Sequence, residues 1–188
     1  MARLYIFRHG QTTDNLSHTF SGKRDVDLTQ DGEREAKRIG EELKGIIPTI
    51  AYHSGQLRSI RTLDLVLGDK KENLKIIQDK RIEERDYGDL TGKNKDEIAE
   101  KFPDKFPIWH RSYDIPPPNG ESIKDVSQKV YSFLEEELPK WKNDDIIFIS
   151  AHGNSIRPIR MFFEKITPKE ASSYENVRGK VYCYDLRK

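Results

Sequence analysis

Apolar positions along this chain fall into two kinds of run. Leu4-Tyr5-Ile6-Phe7 and Ile146-Ile147-Phe148-Ile149-Ser150-Ala151 are short and almost continuously apolar, the pattern of strands buried on both faces. Thr49-Ile50-Ala51-Tyr52 and Leu74-Lys75-Ile76-Ile77 read as two more strands, and Lys180-Val181-Tyr182-Cys183-Tyr184 as the last. Between them the apolar spacing turns helical. Thr29 caps a helix running to about Lys44, with Ala36, Ile39, Gly40 and Leu43 inward and Gly45 as its stop. Ser54 opens a second, with Leu57, Ile60, Leu63 and Leu67 on one face and Arg58 and Arg61 pointing elsewhere. Asn94 with Glu97 caps a short helix to about Lys101. Ser122 heads a long one through Ile123, Val126, Val130, Phe133, Leu134 and Leu138, which Pro139 ends. Ile156, Ile159 and Phe163 mark a helix after His152-Gly153, and Thr167-Pro168 begins another.

Residues 11–28 and 81–93 read as loops, and Pro103, Pro107 and Pro116-Pro117-Pro118 predict an irregular stretch. A loop as long as 11–28 is usually functional. Strands alternating with helices predict an α/β fold with a largely parallel sheet. The length fits one domain over residues 1–188, with no repeat or linker.

Charge changes the picture by what it removes. Lys+Arg 33 against Asp+Glu 32 leaves a net charge of +1, so neither nucleic acid nor an anionic membrane is an expected partner. An anion site has to come from local clustering. The lone Cys183 excludes an internal disulfide and reads as inert packing in the last strand. Met1-Ala2-Arg3-Leu4 is too short an apolar run for a signal peptide. No stretch approaches the ~18 apolar residues of a membrane span. The expectation is a soluble, cytoplasmic protein of open oligomeric state.

The chemistry sits where two of the strands end. Arg8-His9-Gly10-Gln11-Thr12 follows the first, and His152-Gly153-Asn154-Ser155 follows the Ile146–Ala151 run. Ligands of open α/β sheets bind at carboxyl ends of strands. Arginine offers a planar fork to phosphate oxygens, histidine a nucleophile near neutral pH, and Gly10 a close backbone approach. Two such units, one near each end of the chain, predict two imidazoles over one pocket, with a helix N-terminus after Gly153 facing the same anion.

With these segments the chain resembles the histidine phosphatase superfamily, also called phosphoglycerate mutase-like, over essentially its whole length. The resemblance implies a three-layer αβα fold. It makes His9 the phosphorylated residue, with Arg8, Arg58 (in Leu57-Arg58-Ser59-Ile60-Arg61-Thr62) and His152 around the phosphoryl group. Glu84, in Glu83-Glu84-Arg85-Asp86-Tyr87-Gly88, matches the acid–base glutamate of the mutase branch. Arg85, Tyr87, Lys95 and Arg111 match contacts to the phosphate and carboxylate of a phosphoglycerate, and Asn15, Ser21, Gly22, Gly153 and Asn154 match further ligand contacts. No metal is required by this set. The implied activity interconverts 3- and 2-phosphoglycerate, primed by 2,3-bisphosphoglycerate.

Two departures bear on that reading. His110 stands where the typical mutase has a second arginine, which predicts a weaker or pH-dependent contact. Typical mutases also carry a longer insertion after the proline run and a C-terminal tail over the site, and the sequence ends just after the last strand. The expectation is a more open site and faster hydrolysis of a phosphohistidine. A phosphatase acting on small esters is therefore the second reading. A binding relative without turnover is the third, opposed by the intact Arg8, His9, Arg58, Glu84 and His152. His18 and His53 match no motif and read as structural or solvated.

Overall fold

A computed structural model describes residues 1–186. Five strands form one sheet in the order β3-β2-β4-β1-β5: β1 (Ala2–Arg8), β2 (Ile50–His53), β3 (Lys75–Gln78), β4 (Ile146–Ala151) and β5 (Val181–Leu186). All neighbours are parallel except β5, which runs antiparallel along β1. The continuous apolar runs follow from burial on both faces. Leu4 and Ile6 face one cluster with Ile147 and Ile149, while Tyr5 and Phe7 face the other with Phe148.

The first cluster is roofed by α6 (Ile123–Glu137) and α7 (Gly153–Glu164), the second by α2 (Gln30–Glu42) and α3 (Leu57–Leu67). The result is the expected helix–sheet–helix sandwich. Four predicted caps form: Thr29, Asn94, Ser122 and Thr167 each accept a backbone N–H through the side chain. A third, smaller cluster stands off the sheet. Phe20, Tyr87, Leu90 and Ile98 join Phe102, Phe106 and Trp109 there. It carries α4 (Lys95–Lys101) and α5 (Phe106–Arg111).

Several local expectations are corrected. The 11–28 loop contains α1 (Thr13–Leu16), capped by Thr12, and the 81–93 stretch contains a 3-10 turn at Gly88–Leu90. The proline-rich stretch is not wholly irregular, because Pro107 falls in the first turn of α5, where its missing N–H is not needed. The helix assigned to begin at Ser54 starts at Leu57, since Gly55 takes φ +96° and Ser54 is drawn into a side-chain contact. Cys183 is exposed rather than packed.

Gly10 has a different reason from the one expected. An added Cβ there would lie 2.2 Å from the Gly32 carbonyl oxygen, so the glycine permits backbone contact with α2 and not only with a ligand. Gly32 returns the contact, 2.0 Å from the Gln11 carbonyl oxygen on the same construction. Backbone on both sides cannot rotate away. Gly10→Ala should therefore destabilise the protein by about 1–3 kcal/mol, as overpacking does. Urea unfolding checks this, and an unchanged midpoint would show that α2 yields freely.

Candidate active site

β1 and β4 pair in register from Arg3↔Ile146 to Arg8↔Ala151. The next residue on each strand is a histidine, and the His9 N–H donates to the Ala151 carbonyl at 3.0 Å. The two rings consequently meet, with centroids 5.0 Å apart. From here the chain leaves β1 through α1 and the 11–28 segment to reach α2 on one face, and leaves β4 for α7 on the other, the arrangement that opens a crevice at strand ends.

The Gly10 carbonyl accepts a hydrogen bond from His9 Nδ1 at 2.8 Å, which fixes the tautomer of the ring. That leaves Nε2 with the lone pair. His152 Nε2 lies 2.8 Å from Ser54 Oγ, and its buried Nδ1 has no partner. Burial, the adjoining His152 ring and the charges of Arg58 and Arg8 push His9 well below the ordinary imidazole range. Burial and the same two arginines do so for His152. Both rings are neutral, and His9 is a free base.

Arg58 is fully buried, not on a solvated face. Its Nη1 and Nη2 donate to the carbonyls of Arg24 and Gly22 at 2.7 and 2.9 Å. Arg8 Nη1 donates to the Asn176 carbonyl at 2.8 Å. The Nε of each guanidinium is buried without a partner. Burial would raise the Glu84 carboxyl, but the Arg58 charge, the Arg85 N–H, the Asn154 amide and Arg8 outweigh it and hold it below the usual carboxylate range. Glu84 Oε1 accepts from the Arg85 N–H at 2.8 Å and from Asn154 Nδ2 at 2.9 Å.

These groups line a cleft of about 310 Å³. Asn15, Ser21 and Gly22 form one wall, and Gly153 and Asn154, at the start of α7, another. Tyr87, Lys95, His110 and Arg111 come from the small outer cluster. Lys95 Nζ sits 5.5 Å above the Phe20 ring. Arg85 is a correction: it does not line the cleft but lies fully buried behind Tyr87, its guanidinium 4.4 Å over that ring and bonded to the Trp109 carbonyl. Burial, with Arg111, Lys95 and Arg85 nearby, lowers His110 to about 3, so it meets a ligand as a neutral ring.

The cleft also draws on residues the sequence reading passed over. His18, at its rim, pairs with Asp96 at 3.2 Å. Glu175, Asn176 and Arg178 enter from the segment before β5, and Arg157 from α7. Only Arg157 had a local signal, its i,i+3 spacing from Asn154. The ligand atoms of His9, Glu84 and His152 lie within 4.8 Å of one another and could hold a metal ion. Arg8 and Arg58, close enough to depress both imidazoles, oppose a cation there and favour an anion.

The histidine phosphatase superfamily (branch 1) model matches residues 4–187. The chain belongs to that superfamily. A 2,3-bisphosphoglycerate-dependent phosphoglycerate mutase of Nitrobacter winogradskyi is 41% identical, over 97% of this chain and 91% of the relative. One of the same name from Bradyrhizobium diazoefficiens is 40% identical, also over 97% and 91%. Among solved structures, Bacillus stearothermophilus YhfR superposes with a TM-score of 0.87 at 26% identity, over 97% of this chain and 90% of that one. A putative alpha-ribazole-5'-P phosphatase from Escherichia coli gives 0.85 at 21% identity, over 100% and 92%, a likeness of fold alone. Among the described residues no helix is long and apolar enough to cross a membrane.

The depressed imidazoles carry a stability consequence. An unfolded histidine titrates near 6.5, while His9, His152 and His110 bind protons far less readily when folded. The unfolded chain therefore takes up more protons as pH falls, and stability drops with it. The contribution is whole above about pH 7 and drains away through 6.5 towards the folded values. For His110, lowered to about 3, the share lost between pH 7 and pH 5 is about 2 kcal/mol. Urea unfolding at the two pH values should show it, and His110→Gln should shrink the difference by about that amount; an equal drop in wild type and variant would contradict the assignment.

Proposed function

We propose that this protein is a 2,3-bisphosphoglycerate-dependent phosphoglycerate mutase that interconverts 3- and 2-phosphoglycerate through a phosphohistidine at His9. The observation that carries the reading is one cleft with two cationic ends. Arg8 and Arg58 surround His9 and His152 at the strand ends, while Lys95 and Arg111 face them from the outer cluster. A substrate with a phosphate at one end and a second anionic group at the other suits that layout, and the naming of the 40–41% identical relatives supports it.

The chemistry follows from the groups in hand. His9 Nε2 attacks the phosphorus of 2,3-bisphosphoglycerate as the ester P–O bond breaks, and the leaving alkoxide takes a proton from Glu84. In the second half the hydroxyl of a monophosphoglycerate returns its proton to Glu84 and attacks the phosphohistidine. Arg8, Arg58 and the N-terminus of α7 stabilise charge on the transferring oxygens. The donors on Arg8 Nε and Arg58 Nε that lack protein partners fit this task. The bisphosphate must turn over in the cleft between the halves, and Lys95 and Arg111 hold its far end. The scheme uses no metal. A small-molecule substrate of this kind fits the cytoplasmic setting expected from the sequence.

Two measurements test it. His9→Ala should abolish acid-labile, base-stable phosphoenzyme from labelled 2,3-bisphosphoglycerate, and wild-type labelling should survive excess chelator. Label persisting in the variant removes His9 from the role, and chelator-sensitive labelling points to a metal at His9, Glu84 and His152. The second measurement separates mutase from phosphatase. Losing a charge-assisted contact costs about 1.5–3 kcal/mol, roughly one to two decades in rate. Arg111→Ala should lower mutase turnover by that factor and change p-nitrophenyl phosphate hydrolysis much less. Equal loss of both activities, or of neither, makes the small-ester phosphatase the better reading.

A further inference from the structure

Both polar atoms of the Asn154 side chain have protein partners. Its Nδ2 donates to Glu84 Oε1 at 2.9 Å and to Tyr87 Oη at 3.1 Å. Its Oδ1 accepts from Arg157 Nε at 3.3 Å. The orientation of this amide is forced from both sides. A guanidinium only donates, so the amide oxygen must face Arg157, and an ionised carboxylate only accepts, so the amide nitrogen must face Glu84. A flipped amide would set N–H against N–H and O against O. Arg157 is itself 3% exposed and anchored at its other end, where Nη1 donates to the carbonyls of Ala171 and Ser172 in α8 (Pro168–Ser173). A chain of contacts thus runs from α8 through Arg157 and Asn154 to Glu84.

We propose that Arg157 is a positioning residue for the acid–base step: through the Asn154 amide it fixes how the Glu84 carboxylate is held. The role rests on the proposed acid–base function of Glu84. Arginine is suited to it because one fork reaches the α8 carbonyls while Nε addresses Asn154. A lysine keeps the charge but cannot hold both ends. Without Arg157 the amide oxygen loses its anchor, and the Nδ2 hydrogen bond that favours the ionised carboxylate is less firmly held, while the Asn154 N–H contact to Glu84 Oε1 at 3.3 Å stays.

The direct readout is the titration of Glu84 in full-length protein labelled with carboxyl-¹³C glutamate, its signal assigned by its absence from Glu84→Gln. Arg157→Leu should raise the Glu84 midpoint by about one pH unit, the scale of a lost hydrogen bond to a charged group. Arg157→Lys should raise it as well, and it carries the test alone if the leucine variant does not fold. In an Asn154→Ala background neither change should move the midpoint further, since the relay is already cut. Mutase kcat should fall by roughly one decade in the single variants, with KM changing less.

A midpoint unmoved in both Arg157 variants overturns the proposal. So does an additive effect in the Asn154→Ala background, or a shift in Arg157→Leu that Arg157→Lys abolishes, because either means that charge acts directly. A rise in KM with the midpoint unmoved makes Arg157 a substrate contact instead, which also overturns it. If Glu84→Gln retains full mutase turnover, the acid–base reading fails, while the midpoints still decide whether Arg157 holds Glu84.

Discussion

The parallel pairing of β1 with β4 is the constraint on which the site depends. Backbone hydrogen bonds fix Arg8 opposite Ala151, and the next bond, from the His9 N–H to the Ala151 carbonyl, carries the register one residue past the strand. Both imidazoles therefore emerge at the same level of the sheet, 5.0 Å apart. Side-chain contacts could not hold them so firmly, because each ring makes one hydrogen bond through a single nitrogen. A slip of one residue would turn the outer strand residues to opposite faces and separate the two apolar clusters from their helices. The geometry of the rings is thus secured by the hydrophobic core, through Leu4, Ile6, Ile147 and Ile149 on one face and Tyr5, Phe7 and Phe148 on the other.

The same core makes a cationic site affordable in an almost neutral chain. Arg58 and Arg8 are oriented chiefly by backbone carbonyls, those of Gly22, Arg24 and Asn176. A carbonyl satisfies a guanidinium donor without cancelling its charge, whereas a carboxylate would neutralise the field an anionic ligand needs. Of the acids lining the cleft, Glu84 is buried and Glu175 is largely exposed, with a long 3.6 Å contact to Arg111. Desolvation lowers the proton affinity of Arg8 and Arg58, but guanidinium groups keep their proton at any working pH. Burial in this setting sharpens the electrostatics, since the local dielectric is low.

How much of this could be read in the sequence depends on the range of the interaction. β1 and β4 were legible because burial on both faces demands unbroken apolar runs, and His9 and His152 because each lies just past the end of one. Thr29, Ser122 and Thr167 were legible because caps are local chemistry. Ser54, which meets His152 across 98 positions, and Asn176, which meets Arg8 across 168, carry no local mark of that contact. Arg85 shows the opposite failure: its motif placed it on the ligand, but the aromatic cluster of Phe20, Tyr87 and Trp109 draws it behind the wall. Gly10 was flagged for the right property, but not for the α2 backbone that comes close to it. A glycine says that something comes close, not whether it is a ligand or the backbone of α2. The direction of β5 was equally silent, since a short apolar strand has the same pattern either way.

The electrostatics of the free cleft also constrain any acid–base cycle run in it. Arg58, the Arg85 N–H, the Asn154 amide and Arg8 hold Glu84 ionised against its burial, and burial together with the neighbouring charges holds His9 neutral. That state has a nucleophile but no acid, so as it stands it could attack a phosphate ester without protonating the alkoxide that leaves. A phosphate dianion beside the two guanidinium groups offsets their field, and the proton affinities of the nearby groups rise together. In the proposed reaction Glu84 would thus acquire its proton only when an anion occupies the His9 end of the cleft, and would lose it again as the anion departs. Binding and proton uptake then become one event, and the acid is absent whenever there is nothing to protonate.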